Sequence, residues 1–308
     1  MAQKIALIGA SGFVGGRLLQ RLKEVEGFEI VCMGRSPVPG FAHAFLDLKS
    51  PDTIAPAFAQ VRPSFVFQLA AQSSVVGANS DKMDSWKVNA EANAAIASAM
   101  STYVPECGIL YTSSSEVYGE AFNSGEVNED TCPKPLSTYA CSKLAGELAY
   151  RALLTPQNQL IVVRPSNHSG LGQSTNFVLP SFASQVANET QVRVGNIEVK
   201  RDFLHVEDVV SAYMHIFAAR ANIGQRECYN VSSGSAVSLS EVLASLVEMA
   251  GGNVSVEVDP KRYRATDVEE TKICAQRLAK AVGWKPKHSL EFLLKELISG
   301  HSLRKGGE

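Results

Sequence analysis

Short runs that are apolar at nearly every position alternate, over roughly the first half of the chain, with stretches whose apolar positions recur every three or four residues. The runs at 4–8, 29–33, 44–48, 65–70, 108–112 and 160–163 predict strands buried on both faces of a sheet. Between the first two, Val14, Leu18, Leu22 and Val25 are spaced to make one apolar helix face. Further helices are predicted from about Pro51, over 84–101, and around Tyr139. Strand and helix patterns alternating at this pitch predict an α/β fold, a doubly wound parallel sheet whose ligands gather at the carboxyl ends of the strands. Beyond Val163 the pattern becomes irregular, and Pro165 is expected to stop the last strand. Helices are predicted over 177–187, 238–250, 273–282 and 290–298, with a hairpin over 192–199 turning at Gly195-Asn196. Residues 1–163 with about 203–232 then form a dinucleotide-binding domain, and about 164–202 with 233–308 a smaller substrate domain.

Chemistry-bearing residues fall at the predicted strand ends. The first strand runs into Gly9-Ala10-Ser11-Gly12-Phe13-Val14-Gly15, ahead of a helix. Backbone N–H groups left free at a helix start, with the helix dipole behind them, attract an anion, and glycines let it approach closely. The spacing is Gly-x-x-Gly-x-x-Gly rather than Gly-x-Gly-x-x-Gly, and it predicts a dinucleotide pyrophosphate site. After the second strand come Arg35 and Ser36 where an NAD site usually carries an acidic residue, which favours NADP through its 2′-phosphate. Asp47-Leu48, Leu69-Ala70-Ala71-Gln72-Ser73 and residues 112–116 occupy further strand ends. Tyr139 and Lys143 stand four apart in a helical segment, so they share a face. An ammonium beside a phenol is expected to lower its pKa from about 10, letting Tyr139 exchange a proton with a developing alkoxide.

The 308 residues are 45% hydrophobic and 19% charged with a net charge of −2, which argues against broad binding to nucleic acid or an anionic membrane. Six scattered cysteines, none in a Cys-x-x-Cys pair, predict reduced thiols rather than a disulfide framework or a metal site. The first strand begins within a few residues of Met1, leaving no room for a signal peptide, and no apolar run approaches the ~20 residues of a membrane span. A cytoplasmic protein is the expectation. Lys200, Arg201, Lys261, Arg262 and Arg264 supply cations suited to a diphosphate.

Gly9 to Gly15, Leu69 to Ser73, Ser114 with Tyr139 and Lys143, Arg164-Pro165, and Gly283-Trp284-Lys285-Pro286 together resemble the extended short-chain dehydrogenase/reductases that act on nucleotide sugars. The resemblance runs nearly end to end and implies a Rossmann domain binding NADP(H). Within the family, the stretches 164–173, 194–203 and 264–268 are similar to the GDP-6-deoxy-D-mannose reductases, which reduce GDP-4-dehydro-6-deoxy-D-mannose to GDP-D-rhamnose. The resemblance then implies that Ser114 bonds the 4-keto oxygen, Tyr139 protonates it, and Lys143 holds the nicotinamide ribose. It implies a cofactor site of Gly9, Ser11, Gly12, Phe13, Val14, Gly15, Arg35, Ser36, Asp47, Leu48, Leu69, Ala70, Ala71 and Thr112, with Tyr139 and Lys143. Ser73, Ser114, Asn167, Val178, Asn196, Arg201 and Arg264 would bind a GDP-linked sugar, with no metal.

Glu116 keeps a second activity open, because it stands where related 4,6-dehydratases carry an acid/base carboxylate. The brief segment between Ser36 and Ala44 points away from a dehydratase, which usually carries a longer insertion there. A nucleotide-sugar 4-epimerase and a non-catalytic dinucleotide-sensing regulator are the remaining alternatives. The Ala-rich helix around residues 88–99 and the helix from Tyr139 could pack across a two-fold axis in a homodimer.

Overall fold

The computed structural model describes residues 3–73, 81–252, 254–263 and 268–302. Seven parallel strands form the central sheet: β1 (Gln3–Ile8), β2 (Phe28–Gly34), β3 (Ala42–Phe45), β4 (Phe65–Gln68), β5 (Gly108–Thr112), β6 (Leu160–Pro165) and β10 (Arg226–Val231), in the order β10-β6-β5-β4-β1-β2-β3. Successive residues of each strand face opposite sides, so a run that is apolar throughout feeds two cores. Ala6, Ile8, Val66, Ile109, Tyr111 and Val162 face one core, roofed by α2 (Ile54–Val61), α4 (Ala92–Tyr103) and α5 (Thr138–Leu153). Ile5, Leu7, Phe67, Leu110, Ile161 and Val163 face the other, beneath α1 (Phe13–Lys23) and α7 (Val206–Ala219).

A third core carries the smaller part of the molecule. It joins α6 (Val178–Asn188), α8 (Leu239–Met249) and α10 (Leu290–Ser302) with β8 (Gln191–Val194) and Phe203 of β9 (Lys200–His205). Ser238 starts α8 with a capping box: its hydroxyl accepts from the Glu241 N–H, and the Glu241 carboxylate reaches back to the Ser238 N–H. The short strands β7 (Asn167–Ser169), β9 and β11 (Ala236–Ser238) form a three-stranded sheet in the order β11-β9-β7.

The structure corrects four expectations. The third strand runs over Ala42–Phe45 rather than 44–48, and both the N–H and the C=O of Asp47 bond the Thr53 hydroxyl instead of extending the ladder. Pro165 does not stop β6 at Val163: it is the last paired residue, opposite Val231. The Ser166 N–H points to Val231 across that pair at 2.9 Å, so the Pro165 nitrogen faces β5, whose last bond into β6 is from Ser113 to Val163. The predicted hairpin over 192–199 is absent. Instead β8 pairs in parallel with β12 (Ser255–Val258), while β9 pairs with β7 and β11, so the two arms join different sheets. Finally, α9 (Gln276–Val282) starts three residues late, and its Leu278 packs with the buried Trp284 in the core beneath α1 and α7 rather than in the smaller part.

Among the described residues, the six cysteines are all free and no three or more His, Cys, Asp or Glu side chains cluster as a metal site. No described helix is long and apolar enough to cross a membrane.

Candidate active site

A cavity of about 990 Å³ runs from the turn after β1, across the carboxyl ends of β4, β5 and β6, to the start of α6. At one end the glycine turn is set by steric need. Gly9 has φ +98°, and a Cβ there would sit 2.7 Å from the Ala70 nitrogen. A Cβ on Gly15 would sit 2.0 Å from the Gly9 carbonyl oxygen, so α1 can lie on the turn only with glycine at that position. Gly12 caps α1 without a side-chain bond, and the first turn holds no acidic residue. The N–H groups there are thus left for an anion, a donor set that fits a dinucleotide pyrophosphate. Ser11, Phe13, Val14, Leu69, Ala70, Ala71 and Thr112 line the same end.

The loop that carries Ala71 and Ser73 is tied to α5 through a widened helical turn. Asn89 lies in a π turn (Lys87–Glu91), and its amide both accepts from the Gln72 N–H at 2.9 Å and donates to the Gln72 carbonyl at 3.1 Å. The same Asn89 Nδ2 donates to the Ser142 hydroxyl at 3.1 Å. A π turn shifts the side chains after it, which here lets one amide hold both the loop and the helix.

Ser114, Glu116, Tyr139 and Lys143 meet midway along the cavity. The Ser114 hydroxyl accepts the Glu116 N–H at 3.1 Å and is hydrogen-bonded to the Tyr139 phenol. Ser137 starts α5 by accepting from the Ala140 N–H, which seats Tyr139 in the first turn. Lys143 follows one turn on, buried, with Nζ 4.8 Å from the centre of the Tyr111 ring. The pKa order differs from the expected one. Burial pushes the Tyr139 phenol up to about 12 against the Ser114 hydrogen bond, and the Glu116 carboxylate acts in the same direction as burial. Burial brings the Lys143 ammonium down to about 7, while Glu147 pulls it back up. The phenol is therefore a held proton at neutral pH, not a lowered acid, because desolvation outweighs the help from neighbouring groups.

Asn167, Val178, Asn196, Arg201 and Ser73 also line the cavity. Of the expected cations, Arg201 and Arg262 line the cavity, whereas Lys200 and Lys261 are exposed elsewhere. Arg201 Nη1 donates to the carbonyls of Lys200 and Val268, and Arg262 Nη1 to that of Arg193. Arg35, Ser36, Asp47 and Leu48 do not line the cavity: Arg35 and Ser36 are exposed just beyond β2, and the Asp47 carboxylate accepts from Lys49. Arg264 lies outside the described residues.

Sequence reasoning missed several lining residues. His168 gives its ring Nδ1 to the Ser166 carbonyl at 3.0 Å, and burial lowers its pKa, so the neutral ring keeps Nε2 as an acceptor. Ser166 in turn donates to buried Asp202 at 2.6 Å, and Asp202 also takes the N–H groups of Ser233, Gly234 and Ser235. That carboxylate joins the segment bearing Asn167 to the one bearing Arg201. No local spacing marks it, because its partners are 31 to 36 residues away.

Residues 7–297 match the family described as GDP-mannose 4,6 dehydratase. The chain is 32% identical over 307 residues to GDP-6-deoxy-D-mannose reductase of Pseudomonas aeruginosa, covering 97% of each. It is 26% identical over 272 residues to GDP-6-deoxy-D-talose 4-dehydrogenase of Aggregatibacter actinomycetemcomitans, covering 87% of each. The solved structure of RMD from Pseudomonas aeruginosa complexed with NADPH superposes with a TM-score of 0.83 at 30% identity, over 98% of this chain and 99% of that one.

Proposed function

Within the GDP-mannose 4,6-dehydratase family, to which this chain belongs, we propose an NADPH-dependent reductase that converts the 4-keto group of GDP-4-dehydro-6-deoxy-D-mannose to the alcohol of GDP-D-rhamnose. The observation that carries it is the meeting of Ser114 and Tyr139, with Lys143 one turn away on α5, in the cavity that begins at the glycine turn. NADPH, when bound, supplies the hydride that reaches the sugar C4. Ser114 orients the keto oxygen, and Tyr139 donates its proton to that oxygen. Lys143 holds the nicotinamide ribose and presents its charge to the phenol. Asn167 and Arg201 grip the diphosphate, and Arg264 is assigned the same role from the sequence. Arg35 and Ser36 take the 2′-phosphate. Arg35→Ala then weakens NADPH about 10- to 100-fold, from the loss of a charged hydrogen bond, and leaves NADH unchanged. Fluorescence titration with both nucleotides checks this, and equal losses would remove the assignment.

A second reading rests on Glu116, which lines the cavity with Tyr139 and would serve a 4,6-dehydratase as acid/base at C5 and C6. Incubation with NADPH and either GDP-4-dehydro-6-deoxy-mannose or GDP-mannose separates the two. Reduction of the keto sugar alone supports the reductase, and the C4 configuration of the product distinguishes the rhamno from the talo epimer. Consumption of GDP-mannose without net NADPH loss supports the dehydratase. Glu116→Gln leaves a reductase within about 10-fold of wild type, whereas a dehydratase loses about 10²–10⁴-fold with its acid/base group.

We also place a homodimer contact on α5, where Leu148 and Leu153 are 56% and 45% exposed. A sedimentation mass of one chain at micromolar concentration would remove that contact.

A further inference from the structure

We propose that Glu147 and Arg164 form a charge couple that sets the protonation of Lys143, and with it the pH range over which the Tyr139–Lys143 pair works. The three side chains are 1%, 3% and 2% exposed, a carboxylate between two cations in the interior. Glu147 lies one turn beyond Lys143 on α5, so the two share a face. Its carboxylate is held from three sides: Arg164 Nε at 3.0 Å on one oxygen, Arg164 Nη2 at 2.7 Å on the other, and the Ser113 hydroxyl at 2.5 Å. The bidentate guanidinium sets a permanent positive charge against that carboxylate, because arginine does not give up its proton. It also offsets part of the negative potential that Lys143 feels. Arg164 also lies 4.9 Å from the centre of the Tyr118 ring, and among the described residues its Nη1 has no hydrogen-bond partner.

The groups nearest Lys143 besides Glu147 are phenols and amides, with the Glu116 carboxylate beyond Tyr139. Tyr139 on its own helix, Tyr111 from β5 and Tyr213 from α7 are all buried phenols whose ionisation burial opposes. Tyr118 and Cys228, which face Arg164, are pushed up to about 12. The π turn before α4 and the first turn of α4 present amides, Asn89 and Asn93. Glu116 faces Tyr139. Glu147 favours the Lys143 ammonium against burial, and the permanent charge of Arg164 on the same carboxylate opposes it. Neither touches the reacting atoms; both are positioning residues.

The sign follows from the charges. Glu147→Gln keeps an acceptor for Arg164 and Ser113 but removes the anion, so Lys143 loses its proton at lower pH. Arg164→Gln removes the competing cation, so Lys143 keeps its proton to higher pH. Carbon-13 NMR of lysine-labelled protein, with the Lys143 signal assigned by Lys143→Arg, reads the titration directly. The midpoint falls by about one pH unit or more in Glu147→Gln and rises by a similar amount in Arg164→Gln. Glu147→Asp keeps the charge and stays near wild type. Should Arg164→Gln fail to fold, the contrast of Glu147→Gln with Glu147→Asp decides alone. The alkaline limb of kcat/KM for NADPH-dependent keto-sugar reduction moves in step, since that limb reports the free enzyme. An unmoved Lys143 midpoint in Glu147→Gln, with activity merely reduced, overturns the couple and leaves Glu147 a packing group. The kinetic readout rests on the reductase reading, but the NMR titration does not. A shifted midpoint in a protein that reduces no nucleotide sugar supports the couple and sinks the reductase.

Discussion

Tyr139→Phe lowers turnover of GDP-4-dehydro-6-deoxy-D-mannose by about 10²–10⁴-fold, while NADPH affinity stays within a few-fold of wild type. The substitution removes one oxygen from a ring that is 9% exposed and leaves the ring's packing in place. What is lost is the proton that neutralises the oxygen as C4 becomes tetrahedral. Burial pushes the phenol up to about 12, so the donor form is populated through neutral pH and a fall in rate above pH 7 is not expected from Tyr139. Such a fall is expected from Lys143, which burial brings down to about 7 and whose ammonium is lost as pH rises through that value. Stopped-flow absorbance of NADPH, with separate binding titrations, measures both quantities. Turnover within ten-fold of wild type would end the role of Tyr139 as the acid, and equal loss of NADPH binding would make the residue structural.

Gly15→Val abolishes measurable NADPH binding and lowers the melting temperature. Its Cβ would lie 2.0 Å from the Gly9 carbonyl oxygen and 2.8 Å from the carbonyl carbon, both backbone atoms that no rotamer change can move. Either α1 lifts from the turn or Gly9 leaves φ +98°, and both displace the N–H groups that face the pyrophosphate. Overpacking of this kind costs about 1–3 kcal/mol in stability, and 3 kcal/mol applied to the binding geometry is already ~10²-fold in affinity. Gly16→Ala is the control. Its Cβ meets nothing closer than the Ala10 carbonyl oxygen at 3.7 Å, and in a helix alanine is favoured over glycine by up to ~1 kcal/mol. That variant binds NADPH as wild type does and melts no lower. A Gly15→Val protein with intact NADPH affinity would show that the turn does not cradle the cofactor.

The sequence was most legible where one local pattern serves one structural need. Residues 108–112 are predicted and observed as a strand with identical bounds, since a continuous apolar run can be satisfied only between two layers. Gly9, Gly12 and Gly15 could be read because a tight turn into a helix start leaves a spacing in the chain. Ser114, Tyr139 and Lys143 could be read because each follows an element whose end is fixed locally: Ser114 just beyond β5, the other two one turn apart on α5. The hairpin over 192–199 could not, because Gly195-Asn196 looks the same whether the arms pair with each other or with β12 and β9's own neighbours.

By itself the sequence determined a doubly wound sheet with two cores, a glycine cradle at the first strand's end, and a serine, a tyrosine and a lysine at one crevice. Periodicity and spacing encode these, and both survive in a one-dimensional string. Only the tertiary structure decided what those groups are worth chemically. It buried Tyr139 and Lys143 so that burial, not their mutual attraction, governs both pKa values. It brought Arg164 from β6 onto Glu147 of α5, and tied Ser166 to Asp202 across 36 residues. Desolvation and charge pairing depend on which atoms surround a group from every side, and the order of residues along the chain does not state that.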